Sequence, residues 1–304
     1  MEMIRDVGVI GLGRMGGGIA KRVDRAKRLG AAWDSNETAR QGKALSQSVK
    51  LISPRDMAQT CTFILFALPS SFEIEACLTG PDGILSVDAP GQILVDLTTS
   101  HPSATKRLSE LAAARGRAYL DAGMSGGAQA ADTGKLTLMV GSPEEPFARA
   151  WPVLSLIATR IFHLGDVGAG HTMKLVHNMI CHTIFLATSE GCRLAERAGI
   201  DLSDAVAVLN AGNARSFISE ARFPNHILSG TYDGRSAISN LAKDLAMAVA
   251  LERELDMPAA YGPLTSRLLT RALSEGQGGQ DFTTLYTMVE QLMEAELAGR
   301  PTTP

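Results

Sequence analysis

The segment Gly11-Leu12-Gly13-Arg14-Met15-Gly16 constrains this chain more than any other. It follows the apolar run Val7–Ile10 and opens a helix-like stretch from about Met15 to Lys27. Each glycine has a mechanical reason to be there. The first allows a tight turn, the second lets a pyrophosphate approach the backbone, and the third permits close packing of helix on strand. The helix N-terminus then attracts the phosphate charge. A glycine turn in this context calls for an α/β sheet of the Rossmann type and a dinucleotide ligand.

The first half of the chain supports that sheet. Apolar runs at Phe63–Leu68, Ile93–Leu97, Ala118–Asp121 and Leu136–Val140 alternate with helical stretches. One helix is expected from Ser103 to Arg115, with Pro102 at its entry and Gly116 at its exit. Strands separated by helices imply βαβ units and a mostly parallel sheet. After Gly170 the pattern changes to long amphipathic stretches: Met173–Ala198, Leu202–Asn210, Ile238–Leu255, Pro263–Glu275 and Leu285–Leu297. The expected organisation is a Rossmann-type NAD-binding domain over residues 1–165 and an all-helical substrate and oligomerisation domain over 166–298. A disordered tail is expected over 299–304.

Charge and composition exclude several classes. With 29 basic and 32 acidic residues the net charge is −3, which argues against nucleic acid as a partner. No apolar run is long enough for a transmembrane helix, so no membrane partner is expected. The start, Met1-Glu2-Met3-Ile4-Arg5-Asp6, lacks the basic and apolar regions of a secretory leader. Cys61, Cys77, Cys181 and Cys192 form no CxxC pair and read as free thiols of a reducing, cytoplasmic compartment. Half of the 30 glycines fall in four clusters, Gly8–Gly18, Gly123–Gly127, Gly165–Gly170 and Gly276–Gly279. The first three coincide with the segments that carry chemistry.

Asp34 lies about twenty residues past the glycine turn, where a carboxylate would bond the adenosine ribose and repel a 2′-phosphate. It favours NAD over NADP, although Arg40 and Lys43 are close enough in sequence to serve a 2′-phosphate. Gly123-Met-Ser125-Gly-Gly127 matches the nucleophile elbow of hydrolases, which would pair Ser125 with a later acid and His226. The competing reading is an exposed glycine loop whose N–H groups and hydroxyl bind a carboxylate. Lys174, His177 and Asn178 share one face of the first long helix, which His171 begins and Cys181 continues. Desolvation lowers the pKa of a sequestered lysine, which can then exchange a proton with a substrate oxygen; the plainer alternative is a solvated stripe. No metal site is expected, because His177 and His182 are five apart with no carboxylate beside them. Lys243-Asp244 by itself reads as an ordinary surface pair.

In this order, these pieces resemble the β-hydroxyacid dehydrogenase family, which includes 3-hydroxyisobutyrate and 6-phosphogluconate dehydrogenases. The likeness runs from about Val7 to Leu297. It includes Leu68-Pro69-Ser70, Asp121-Ala-Gly-Met-Ser-Gly-Gly127, Leu136-Thr-Leu-Met-Val-Gly141, the lysine helix, Lys243-Asp244-Leu245 and Asp281-Phe-Thr-Thr. The resemblance implies two domains joined by a long interdomain helix, and a homodimer or homotetramer. It makes Lys174 the catalytic lysine and gives the substrate to Ser125, Gly126, Gly127, His177 and Asn178. Gly11, Leu12, Gly13, Arg14, Met15, Gly16, Asp34, Leu68, Pro69, Thr99 and Lys243 would line the cofactor. Glu73 stands where several relatives place a cofactor-contacting Asn.

Two departures bear on substrate. Lys-x-x-His-Asn is the 6-phosphogluconate dehydrogenase pattern, but the Glu-Tyr pair that serves its sugar phosphate is here Cys181-His182. The proline usual after Asp-Ala is Gly123. The expected activity is NAD-dependent oxidation of a small, 3-hydroxyisobutyrate-like 3-hydroxy acid, or reduction of its semialdehyde. The alternatives are a short-form sugar-acid dehydrogenase of threonate or 6-phosphogluconate type, and a non-catalytic dinucleotide-binding module.

Overall fold

The computed structural model describes residues 5–42 and 44–299. Residues 1–4 of the N-terminal stretch, Lys43, and residues 300–304 of the expected tail lie outside them. The chain forms two compact units, Met1–Lys174 and Leu175–Pro304.

The first unit is built on strands β1 (Val7–Ile10), β2 (Leu29–Trp33), β3 (Lys50–Leu51), β4 (Phe63–Phe66), β5 (Ile93–Asp96), β6 (Ala118–Ser125), β7 (Leu136–Gly141) and β8 (Ala158–His163). They form one sheet in the order β3-β2-β1-β4-β5-β6-β7-β8. Every neighbouring pair is parallel except β6 and β7. The chain runs outward from β1 through β2 to β3 and returns to β4 on the other side of β1. That reversal opens a crevice at the carboxyl ends of β1 and β4, where ligands of such sheets bind. Between the strands lie α1 (Arg14–Arg25), α2 (Glu37–Gln41), α3 (Pro54–Thr60), α4 (Ser71–Thr79), α5 (Pro102–Ala113), α6 (Gly127–Thr133) and α7 (Glu144–Leu154).

The central strands are continuous apolar runs because helices cover both faces. Successive side chains divide between two cores: Ile93 and Val95 join one, and Leu94 joins the other. Local chemistry marks the helix starts. Ser53 caps α3 by accepting from the Asp56 N–H, with Pro54 at the first helical position.

β6 extends beyond the expected end at Asp121. Its first half pairs with β5, and its second half, Asp121 to Ser125, pairs with β7. That antiparallel pairing turns the expected exposed glycine loop into the end of a strand. The short edge strand β3 and the half-exposed β8 carry little apolar signal, so the sequence pattern does not mark them as strands.

The second unit is helical among the described residues. It comprises most of α8 (Ala169–Arg197), with α9 (Leu202–Ala211), α10 (Ile238–Glu254), α11 (Tyr261–Ser274) and α12 (Leu285–Ala298). A wide π-type helical segment, Ile218–Leu228, interrupted by Pro224, was not anticipated. Phe185, Phe223, Leu245, Leu269 and Leu285 lie in the core of this unit.

The four cysteines are free thiols. Burial pushes the Cys77 and Cys192 thiols up to about 11, helped by Glu73 and Glu196 respectively. At pH 8 only about a thousandth of either is then thiolate, the reactive form. Alkylation of native protein by iodoacetamide, followed by peptide mass spectrometry, should therefore label both slowly. Unfolding in guanidinium should raise the labelling rate by about 100-fold. Equal rates in the two states would contradict this.

Candidate active site

In the first unit, the turn from β1 into α1 brings backbone against backbone. A Cβ at Gly16 would sit 1.8 Å from the Gly11 carbonyl oxygen, and one at Gly11 would sit 2.3 Å from that of Ala67. Gly11 also has φ +93°, which favours glycine. Gly13, by contrast, faces open space, with nothing within 4 Å of its missing Cβ. It is the N-cap of α1, which has no side-chain cap and no acidic residue in its first turn. Uncapped N–H groups beside an open glycine fit a pyrophosphate. Leu12 is buried, whereas Arg14 and Met15 are not.

Asp34 directly follows β2. One carboxylate oxygen accepts from the Leu12 N–H at 2.6 Å and the other from the Asn36 N–H at 2.8 Å. The carboxylate is thus fixed at the glycine turn. Arg40 donates to the Asp34 carbonyl at 2.6 Å. Leu68 and Pro69 follow β4 ahead of α4, and Thr99 follows β5. Glu73 accepts from the Ser70 hydroxyl at 2.5 Å, closing the start of α4.

Ser125 ends β6, Gly126 turns the chain with φ +121°, and Gly127 begins α6. This is a strand–turn–helix, the setting of a nucleophile elbow. The positive φ angles fall on Gly126 and Gly127, however, and Ser125 is not among the residues with positive φ. His226 has its own partner, Asp233, at 2.7 Å.

Lys174 lies in α8, and its stem packs on β6. A Cβ at Gly123 would be 2.6 Å from the Lys174 Cβ, so the glycine admits the lysine to this position. Lys174 is 9% exposed, which removes the reading of a solvated stripe.

The start of α8 is held by Asp121, which in the sequence stands only as the first residue of Asp-Ala-Gly-Met-Ser-Gly-Gly. Asp121, fully buried, accepts from the Gly168 N–H and the His171 N–H, both at 2.7 Å. Burial pushes its carboxyl above the usual range, opposed by His171 and by those two N–H groups. His171 is also fully buried. Its Nδ1 lies 2.7 Å from the Thr105 hydroxyl and its Nε2 lies 3.9 Å from Asp96. Asp96 accepts from Thr98 and from the Tyr119 hydroxyl, at 2.8 Å for the latter. Burial, then the nearby Asp96 carboxylate, pushes Tyr119 well above its ordinary pKa.

In the second unit, the Asn178 amide donates to Asp244 at 2.6 Å. His177 Nδ1 lies 3.0 Å from the Asn178 carbonyl oxygen, which can only accept. Lys243 Nζ lies 3.3 Å from Asp244. Asp244 is therefore no ordinary surface residue: it is 8% exposed and links Lys243 to Asn178. Among the described residues no cluster of His, Cys, Asp and Glu could hold a metal ion. No helix among them is long and apolar enough to cross a membrane.

A Rossmann-type sheet with an open glycine turn at the start of its first helix is the architecture of a dinucleotide-binding protein. Comparison with known proteins agrees. Residues 6–165 match the family model described as the NAD binding domain of 6-phosphogluconate dehydrogenase. Residues 168–289 match the one described as NAD-binding of NADP-dependent 3-hydroxyisobutyrate dehydrogenase. The chain is 29% identical to 2-(hydroxymethyl)glutarate dehydrogenase of Eubacterium barkeri, over 98% of its own length and 99% of the relative's. It is 31% identical to L-threonate dehydrogenase of Cupriavidus necator, over 92% and 94%. Its fold is that of Mycobacterium tuberculosis 3-hydroxyisobutyrate dehydrogenase, with TM-score 0.85 and 23% identity over 94% of this chain and 99% of that one. The chain belongs to the β-hydroxyacid dehydrogenase family and is an NAD(P)-dependent hydroxyacid dehydrogenase.

The Asp121 cap has a measurable consequence. An amide in place of the carboxylate can accept one N–H but must present its own NH₂ to the other. Asp121→Asn should destabilise the protein by about 2–4 kcal/mol, because a buried N–H is left unsatisfied and a charge-assisted bond is lost. Urea unfolding checks this, and an unchanged midpoint would contradict it.

Proposed function

We propose that this protein oxidises a small 3-hydroxy acid with NAD, or reduces the corresponding semialdehyde, with Lys174 as general acid and base. The observation that carries the reading is the burial of Lys174 against β6, five residues after an α8 start whose Gly168 and His171 N–H groups are pinned by Asp121.

In the oxidation direction, neutral Lys174 Nζ accepts the proton of the substrate hydroxyl. Asn178, its amide held by Asp244, orients that hydroxyl together with His177. Ser125, Gly126 and Gly127 hold the substrate carboxylate, which fixes the reacting carbon. Bound nicotinamide supplies the hydride acceptor. In the reverse direction protonated Lys174 returns the proton to the carbonyl oxygen.

The cofactor is held in this reading by Gly11 to Gly16, Leu68, Pro69, Thr99 and Lys243. Asp34 supports NAD, since its carboxylate, fixed on the Leu12 N–H, would repel a 2′-phosphate. A second reading, a short-form sugar-acid dehydrogenase, is favoured by the 31% identity to an L-threonate dehydrogenase. The organisation into residues 1–165 and 166–298 belongs to the same proposal, as does a homodimer or homotetramer. Leu194 and Val208, about 70% exposed, supply apolar surface for such an assembly to bury. The free cysteines suit a reducing cytoplasm.

Lys174→Ala should bind NAD with unchanged affinity and lose about 10²–10⁴-fold in kcat, the usual contribution of general acid–base catalysis. Isothermal titration with NAD, alongside steady-state assays on 3-hydroxyisobutyrate, threonate and 6-phosphogluconate, checks both halves. Wild-type turnover in the variant would remove Lys174 from the mechanism. In the same assays NAD should exceed NADP in kcat/KM, and Asp34→Ala should narrow the gap. Equal use of both cofactors by the wild type would overturn the role given to Asp34.

A further inference from the structure

Glu252 closes the buried stripe of α10 that contains Asp244, and the chemistry above does not use it. The residue is 7% exposed, whereas glutamate normally keeps its carboxylate in water. Both carboxyl oxygens are buried, and among the described residues neither has a hydrogen-bond partner. Gly262, the second residue of α11, fixes what lies around them. A Cβ there would sit 2.5 Å from Glu252 Oε1 and 3.1 Å from the sulfur of Met179. Met179 belongs to α8 and directly follows Asn178. The carboxyl group thus lies where three helices of the second unit meet.

Met179 and Gly262 carry no charge. Thr183 and Thr265, a turn further along α8 and α11, bond to each other at 2.8 Å. The titratable residues near Met179 on α8 are His177, Cys181 and His182. On α11 the first is Arg267, engaged by Glu296 at 2.7 Å. On and just past α10, Arg253, Glu254 and Asp256 are exposed. None of these sets the behaviour of Glu252: burial alone pushes its carboxyl above the usual range. The start of α11 has no side-chain cap, yet no N–H there bonds to the carboxyl group. A buried carboxylate without a donor is costly, and the neutral acid in the same place costs far less.

We propose that Glu252 is a proton-operated switch in the second unit: with its proton bound, α8, α10 and α11 pack together, and loss of the proton loosens their junction. The Asn178–Asp244 bond joins two of the same helices, so the switch reaches residues assigned to the substrate. The sign of the pH dependence follows. The folded protein holds this proton more tightly than the unfolded chain does. The stability it contributes is complete below the carboxyl pKa of the unfolded chain and is lost as pH rises through that of the folded protein.

Glu252→Gln keeps the shape and removes the ionisation. Urea unfolding of both proteins from about pH 4 to pH 8 gives the ratio of their folding constants, variant over wild type. That ratio should rise by about 10-fold across the range, the equivalent of one pKa unit. An offset present at every pH reports only the packing of the amide, so the rise is the quantity that decides. Hydrogen exchange across residues 261–265 should be faster in the wild type than in the variant at pH 8, and the difference should shrink toward pH 5. Glu252→Met, which also cannot ionise, should show the same rise, and it decides the matter if Glu252→Gln does not fold. A ratio that stays constant with pH, or falls, would overturn the proposal. So would exchange rates at 261–265 that differ equally at both pH values. None of these readouts uses turnover, so their failure is distinct from failure of the dehydrogenase reading.

Discussion

Two hydrogen bonds from the α8 start to the Asp121 carboxylate hold the first unit's chemistry in place. Charge-assisted bonds of this type contribute about 1.5–3 kcal/mol each, set against the cost of burying the acid. Their effect is geometric as well as energetic. Asp121 and Ser125 lie on the same strand, so the residue that caps the lysine helix also fixes the distance from that helix to the Ser-Gly-Gly turn. Gly123, between them, lets the Lys174 stem lie against the strand. The buried His171, Thr105, Asp96 and Tyr119 extend the anchor into β5, β6 and α5. A lysine on an unanchored helix end would fray within the first turns, where backbone N–H groups lack partners.

The second unit uses the same device with different residues. Asp244 receives the Asn178 amide, and with it His177 is oriented. In both units a buried carboxylate sets the place of the residue that would meet the substrate. Proton transfer requires heavy atoms within hydrogen-bond reach, so rigidity at these positions matters more than the number of polar groups present. The first unit achieves close approach by glycine and the second by a side-chain relay.

The parts of this protein that were legible in its sequence are those carried by contiguous residues. The glycine turn could be read because its three glycines serve one local shape, and the long helices because their apolar period is strong. Asp121 and Asp244 were not legible as anchors. Their partners lie 47 and 50 residues away for Asp121, and 66 for Asp244, and nothing in the local pattern marks such pairings. The end of β6 looks like a loop in the sequence because its glycines disguise a strand whose partner, β7, is antiparallel. The segment Ile218–Leu228 escaped because its wide winding and Pro224 break the usual helical period. His171 was placed on the lysine face, yet its full burial among Thr105 and Asp96 depends on α5 and β5, far away in sequence.

The central claim is that the carbon bearing the substrate hydroxyl gives its hydrogen to a nicotinamide while Lys174 takes the hydroxyl proton. The most direct measurement uses a hydroxy acid substrate deuterated at that carbon and follows the label by mass spectrometry of the cofactor. The account predicts reduced nicotinamide that carries the deuterium, with a primary isotope effect on the transfer step. Product formed with unlabelled cofactor, or with the deuterium released to solvent, would contradict it.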